Sequence, residues 1–396
     1  MLAVADAQTR ISALVPRLPI EEVALDRADG RFLAASVIAA RPLPGCDASA
    51  MDGFAVRAAE LPGTLPVVAM IGAGDRPAPL APGTAARIMT GAPMPVGADT
   101  VVIFEDARDH GERVDLPSAS VGDNVRRTGE DIMPGDRVLT AGLRLGAGEL
   151  GLLAALGWAT VPVARAPVVA ILATGDELVS VTDTPGLGQV VDSSAYALAA
   201  QIREAGGEPR YLGIARDDRA QVTALVAQAL ACDALVTTGG VSAGDRDFVR
   251  GALTDAGVAL EFWKVAMKPG KPLAFGLGDG GRVPVFALPG NPVSSMVAFE
   301  LFARPALRAM LGATVQARPR VPVILAGAYR KSAGRAHFLR ARLERDGATL
   351  RAVPHRHQGS HALSSMIGVD ALVEIPAETT DVADGGAVTA LLLEPR

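Results

Sequence analysis

Apolar residues recur at helical spacing from Ala3 to Leu18 (Ile11, Leu14, Val15, Leu18), which predicts an opening helix. From about Arg41 to Val138 the pattern shortens to Val- and Ile-rich runs such as Pro66–Ile71 and Thr100–Phe104, cut by Gly/Pro turns. That predicts a small β-rich unit over 41–138. Helical spacing returns at Leu145, Leu150, Leu153 and Leu156, so 139–165 is expected to fold back beside 1–40 as one discontinuous, helical and mixed first domain.

From Ala166 to Leu311 strand-like and helix-like runs alternate, as in a parallel sheet with crossover helices. Strands are expected at Pro167–Leu172, Arg210–Ile214, Asp233–Thr237, Val258–Trp263 and Val283–Leu288. Helices are expected at Ser193–Ala205, capped by Asp192 and stopped by Gly206-Gly207, and at Ala220–Ala231. Asn291-Pro292 opens a further helix that Pro305 is expected to kink or end. Beyond Gly312 a period of two returns (Val321, Val323, Leu325), which predicts an all-β domain over 314–396. The expected fold class is multidomain α/β plus β, with the parallel α/β domain at 166–313.

A hydrophobic fraction of 49% and a charged fraction of 20% describe a folded globular chain. A net charge of −5 without any basic stretch argues against a nucleic-acid partner. The longest uncharged run, between Arg282 and Glu300, holds three prolines, so no membrane-spanning helix is expected. The amino terminus lacks a basic start and apolar stretch, which reads as a cytoplasmic chain. Cys46 and Cys232 stand outside paired motifs and argue against a disulfide framework or a Cys-based zinc site.

Of 38 basic residues only four are lysines, and Lys264, Lys268 and Lys271 fall within eight positions. Such clustering suits a site that needs compact ammonium groups. Lys268-Pro269-Gly270-Lys271-Pro272 is a stiff turn that holds two of them together, and an oxyanion is the matching guest.

Three Gly-containing loops, Thr174–Glu177, Thr238–Asp245 and Pro289–Ser294, each follow a predicted strand. Ligands of open α/β sheets bind at that edge, where Gly239 and Gly240 let backbone N–H groups approach a phosphate. The same loops bring Asp176, Glu177, Asp217, Asp218, Asp245 and Asp247. One or two carboxylates beside a phosphate suit Mg²⁺. Capping competes as a role for Asp217, Asp218 and Asp245, whereas Glu177 and Asp247 are the assigned Mg²⁺ residues. The chemistry suggested is transfer or hydrolysis at phosphorus or a related oxyanion. His355–His361, with three of the five histidines, is read as a polar loop rather than a zinc site.

Seven ordered motifs carry a resemblance: SAMDGFA (49–55), RIMTGAP (87–93), RTGEDI (127–132), TGDEL (174–178), GGVSAGD (239–245), KPGKP (268–272) and LPGNPVS (288–294). Together they are similar to those of the molybdopterin molybdenumtransferases, a family that includes the carboxyl-terminal domain of gephyrin. The resemblance implies a four-domain homodimer with its site shared between the α/β domain of one chain and the β-rich domain of the other. It implies a Mg²⁺-dependent reaction of adenylylated molybdopterin with molybdate that releases AMP. Molybdopterin adenylyltransferase and molybdoenzyme-maturation proteins are the implied partners. The catalytic set carried over is Asp52, Thr90, Asp131, Glu177, Asp217, Asp247 and Lys264. The binding set is Gly239, Gly240, Ser242, Lys268, Lys271, Ser294, Arg340 and Ser360. Phe54 and His337 depart from the family pattern, which often has Tyr and an acid there. The alternatives are an adenylyltransferase-like enzyme and a non-catalytic scaffold.

Overall fold

A computed structural model describes residues 1–241 and 248–393. Its centre is a six-stranded sheet in the order Glu208–Ala215, Val168–Thr174, Ala234–Thr238, Val283–Leu288, Ala274–Gly278, Ala259–Trp263. The first four strands run parallel; Ala274–Gly278 joins them antiparallel, and Ala259–Trp263, antiparallel to it, runs with the first four again. Alternate residues feed two cores. Val169, Ile171, Val236 and Phe286 pack with the helices Ser194–Ala205 and Pro292–Ala298, whereas Ala170, Leu172, Leu235 and Val285 pack with Arg219–Ala229 and Phe248–Asp255. Burial on both faces explains the near-continuous apolar runs of these strands.

The helix ends follow local chemistry. Asp192 Oδ1 accepts from the Ala195 amide at 3.1 Å, Asp218 accepts from the Gln221 amide at 2.7 Å, and Gly206 closes its helix at φ 100°. Of the two outcomes expected at Pro305, the helix does not end there. Pro292–Ala298 passes into a π-helical segment, Phe299–Ala303, and continues as Arg304–Met310. The wider turn just before the proline accommodates its ring and missing N–H without stopping the helix.

The amino-terminal helix Val4–Leu14 buries Val4, Ala7 and Ile11 in the α/β core, and Gln8 Nε2 donates to the Leu301 carbonyl at 2.9 Å. The strand Ile20–Ala24 pairs with Thr160–Ala164, and Ala28, Leu33 and Val37 share a core with Leu139, Leu153 and Val163. Two distant stretches thus form one small unit, which the opening helix leaves to join the α/β core. Between them lies a β-rich unit whose sheet runs Thr100–Ile103, Gly53–Val56, Ala85–Ile88, Gly63–Ile71, Arg113–Leu116, Arg108–Asp109.

The carboxyl-terminal strands Ala336–Asp346, Thr349–Pro354, Arg320–Leu325, Ala387–Leu392 and Ala371–Ile375 close on themselves as a five-stranded barrel. Met267–Lys268, from the lysine-bearing segment, pairs in parallel with Ala336–His337. Among the described residues no helix is long and apolar enough to cross a membrane.

Candidate active site

Two clefts, of about 650 and 530 Å³, adjoin at the carboxyl ends of the parallel strands and share Pro272, Pro289, Asn291 and His361. The larger is lined by the strand-end loops, Gly239 and Gly240 among them. Both glycines have positive φ, and a Cβ on Gly239 would lie 2.3 Å from the Thr174 carbonyl oxygen. Only glycine fits that close crossing of two loops. Glu177 and the half-buried Asp217 line the same cleft. Their loops are tied together, because the Asp217 amide donates to Asp176 Oδ1 at 3.1 Å and Arg216 Nη1 donates to the Asp176 carbonyl at 2.8 Å. Asp176 therefore braces the loop, and no described residue hydrogen-bonds the Glu177 carboxylate. Asp192 also borders this cleft but is 3% exposed, with its oxygens taken by the Ala195 amide and the Tyr211 hydroxyl. Burial, then the Asp192 charge, raises the Tyr211 hydroxyl above its ordinary value. Ser242, Asp245 and Asp247 lie outside the described residues.

Lys268, Lys271, Ser294, Arg335, Gln358 and Ser360 line the smaller cleft. Both lysines are exposed, whereas Ser294 is buried in the first turn of its helix. Ser360 arrives on a barrel loop whose carbonyl accepts from the Val293 amide at 3.2 Å, which fastens the barrel to the start of that helix. Arg340, expected from the resemblance to meet the oxyanion, lies under this loop and off the cleft wall. It is 1% exposed and donates to the His357 and Gly359 carbonyls and to Ser365 Oγ, each at 3.1 Å. Burial brings its guanidinium down to about 10. Neighbouring His337, 6% exposed, holds the Tyr329 hydroxyl at 2.8 Å through Nδ1. Burial, then the charges of Lys268, Lys331 and Arg335, lowers it to about 4. It is therefore neutral at pH 7.

Asp52, Thr90 and Asp131 line neither cleft. On the β-rich unit, Asp52 Oδ1 accepts from the Thr90 amide at 2.6 Å and hydroxyl at 2.8 Å, and these bonds lower its carboxyl below the ordinary value. A matching clasp escaped the sequence reading. Asp47 accepts from the Thr128 amide and hydroxyl, each at 2.8 Å, and pairs with Arg127 at 2.8 Å. Those contacts, led by the Thr128 amide, lower the Asp47 carboxyl as well. Asp131 is exposed, its amide bonded to the Leu43 carbonyl at 3.0 Å. Lys264 lies outside both clefts, half-buried at φ 82°. The other residue missed is His361, whose only signal was the His-rich tract.

Known proteins match this arrangement along the whole chain. Residues 2–157 match the family described as "MoeA N-terminal region (domain I and II)", 170–309 match "Probable molybdopterin binding domain", and 322–393 match "MoeA C-terminal region (domain IV)". Molybdopterin molybdenumtransferase 1 of Mycobacterium tuberculosis is 37% identical, with 99% of each chain covered. The Bacillus subtilis molybdopterin molybdenumtransferase is 36% identical over 99% of this chain and 94% of its own. The crystal structure of a molybdopterin biosynthesis MoeA protein from Pyrococcus horikosii superposes with a TM-score of 0.86 at 32% identity, covering 100% of both chains. Three successive family matches and end-to-end relatives leave one assignment: the chain belongs to the molybdopterin molybdenumtransferase family, transferases of molybdenum-cofactor biosynthesis.

Proposed function

We propose that this chain inserts molybdate into adenylylated molybdopterin and releases AMP, with the pterin nucleotide in the larger cleft and molybdate in the smaller. The adjacency of the two clefts carries the reading. A cleft lined by glycines and acids and a lysine-bearing cleft share four residues, so substrates bound in each would meet at their junction. Gly239 and Gly240 bring close-packed backbone to the cleft lining, and Lys268 and Lys271 offer a dianion two ammonium groups. An adenylyltransferase-like activity would leave the lysine cleft without a task.

Glu177 and Asp217 supply hard oxygen donors, and two carboxylates completed by phosphate and water suit Mg²⁺. When bound, the ion would neutralise charge developing on the phosphoanhydride. The chain's own part is to hold Glu177 at the cleft through the Asp176 brace and to fix the phosphates against the glycines.

Asp52, Thr90 and Asp131 are proposed to complete the site of a second copy in a homodimer, since they line neither cleft of their own chain. The experiment follows AMP release and molybdenum-cofactor formation from adenylylated molybdopterin, Mg²⁺ and molybdate. No AMP release by the unaltered protein sinks the reading. Mixed Asp52→Ala and Glu177→Ala proteins are expected to recover partial activity, because one composite site per mixed dimer is intact. No recovery despite subunit exchange counts against the shared site.

A further inference from the structure

Joining molybdate to a dithiol moves protons. In the balanced exchange both S–H bonds break, two Mo–S bonds form, and one oxo ligand leaves molybdenum as water carrying both protons. Molybdate and the dithiol then give a trioxo-dithiolene dianion and water, with no oxidant or reductant. We propose that His361 carries these protons from the pterin cleft to the oxyanion cleft; the proposal rests on the function proposed above.

The position of His361 supports this. The residues bordering both clefts are Pro272, Pro289, Asn291 and His361, and of these only the histidine has a side chain that can take up and release a proton. No described residue hydrogen-bonds either ring nitrogen. The ring lies over Gly359, where an added Cβ would sit 2.9 Å from Cε1, so glycine at 359 makes its seat. The preceding backbone is held from both sides. Arg340 donates to the Gly359 carbonyl at 3.1 Å from the barrel, and the Val293 amide donates to the Ser360 carbonyl at 3.2 Å from the α/β domain.

The neighbouring groups divide the labour. The smaller cleft also carries Lys268, Lys271 and Arg335, side chains that donate only. The larger cleft also carries Glu177 and Asp217, which when ionised only accept. Imidazole does both near neutral pH, as a relay between a thiol and an oxo ligand requires.

The test measures single-turnover molybdenum insertion by the full chain, together with equilibrium binding of molybdate and of adenylylated molybdopterin. His361→Ala and His361→Gln are expected to insert about 10²-fold more slowly or worse. Binding of both substrates should stay within about threefold, and added imidazole should restore His361→Ala but not Lys271→Ala. Insertion by His361→Ala at the unaltered rate overturns the relay. So does a loss that imidazole leaves in place. If the unaltered chain inserts no molybdenum, the function itself is misread and the relay falls with it; an active unaltered chain with an equally active His361→Ala defeats the relay alone.

Discussion

The buried Arg340 guanidinium donates to the carbonyl of Gly359 at 3.1 Å, one residue before Ser360 and two before His361. Its other donors reach the His357 carbonyl and Ser365 Oγ, so one planar fork ties three points of the loop that borders both clefts. The loop is placed from beneath by a side chain that does not line the cleft.

Arg340→Lys tests this placement, because one ammonium cannot reproduce a fork spread over three acceptors. Hydrogen bonds to charged groups contribute about 1.5 to 3 kcal/mol each, so a loss of about 3 kcal/mol in urea unfolding is expected. Molybdate binding should weaken as well. Unchanged stability would show that the loop holds itself.

His337 makes stability depend on pH. Its folded value, about 4, lies below the ordinary histidine value, so the unfolded chain binds the extra proton between roughly pH 6.5 and 4. Stability is therefore fully present above that window and falls as the solution is acidified through it, by at most about 3 kcal/mol. In His337→Gln the fall between these pH values should be smaller by the same amount, measured as urea midpoints across the range. An identical pH profile in the variant would refute the contribution.

Thr90→Val removes the hydroxyl bond to Asp52 and keeps the backbone one. The Asp52 carboxyl should then titrate at higher pH than in the unaltered chain while staying below its ordinary value, because the amide bond is the larger cause. Carbon NMR of the side-chain carboxyl reads this directly. No movement would mean that the hydroxyl bond is not formed in solution.

Lys271→Ala is expected to raise the molybdate concentration for half-saturation roughly ten- to a hundredfold, the cost of one charge-assisted contact, with pterin binding nearly unchanged. Lys271→Arg should rescue poorly, since a broad planar fork replaces a compact ammonium. A molybdate titration decides both. An unchanged midpoint in the alanine variant removes Lys271 from the oxyanion cleft.

Local pattern was enough for the strands at the centre of the α/β sheet, for the caps at Asp192 and Asp218, and for the order of the motifs that mark the family. Burial on both faces writes apolar runs, and capping acts within three residues, so each leaves its mark in contiguous sequence. Pairings across the chain leave no such mark. Sequence did not show that Met267–Lys268 would pair with a barrel strand, that an antiparallel strand, Ala274–Gly278, would extend the sheet, or that Asp47 would clasp Thr128. The family resemblance grouped Arg340 with the lysines as an oxyanion contact. The fold separated them, because the closed barrel buries the Arg340 side chain under a loop while the Pro-Gly turn leaves Lys268 and Lys271 exposed. His361 looked like one member of a polar tract, and only the seating of that tract against the start of the helix at Pro292 brought it to the border of two clefts. A residue type limits which chemistry is available, but the distance between groups remote in sequence decides which is used, and that distance is set by packing.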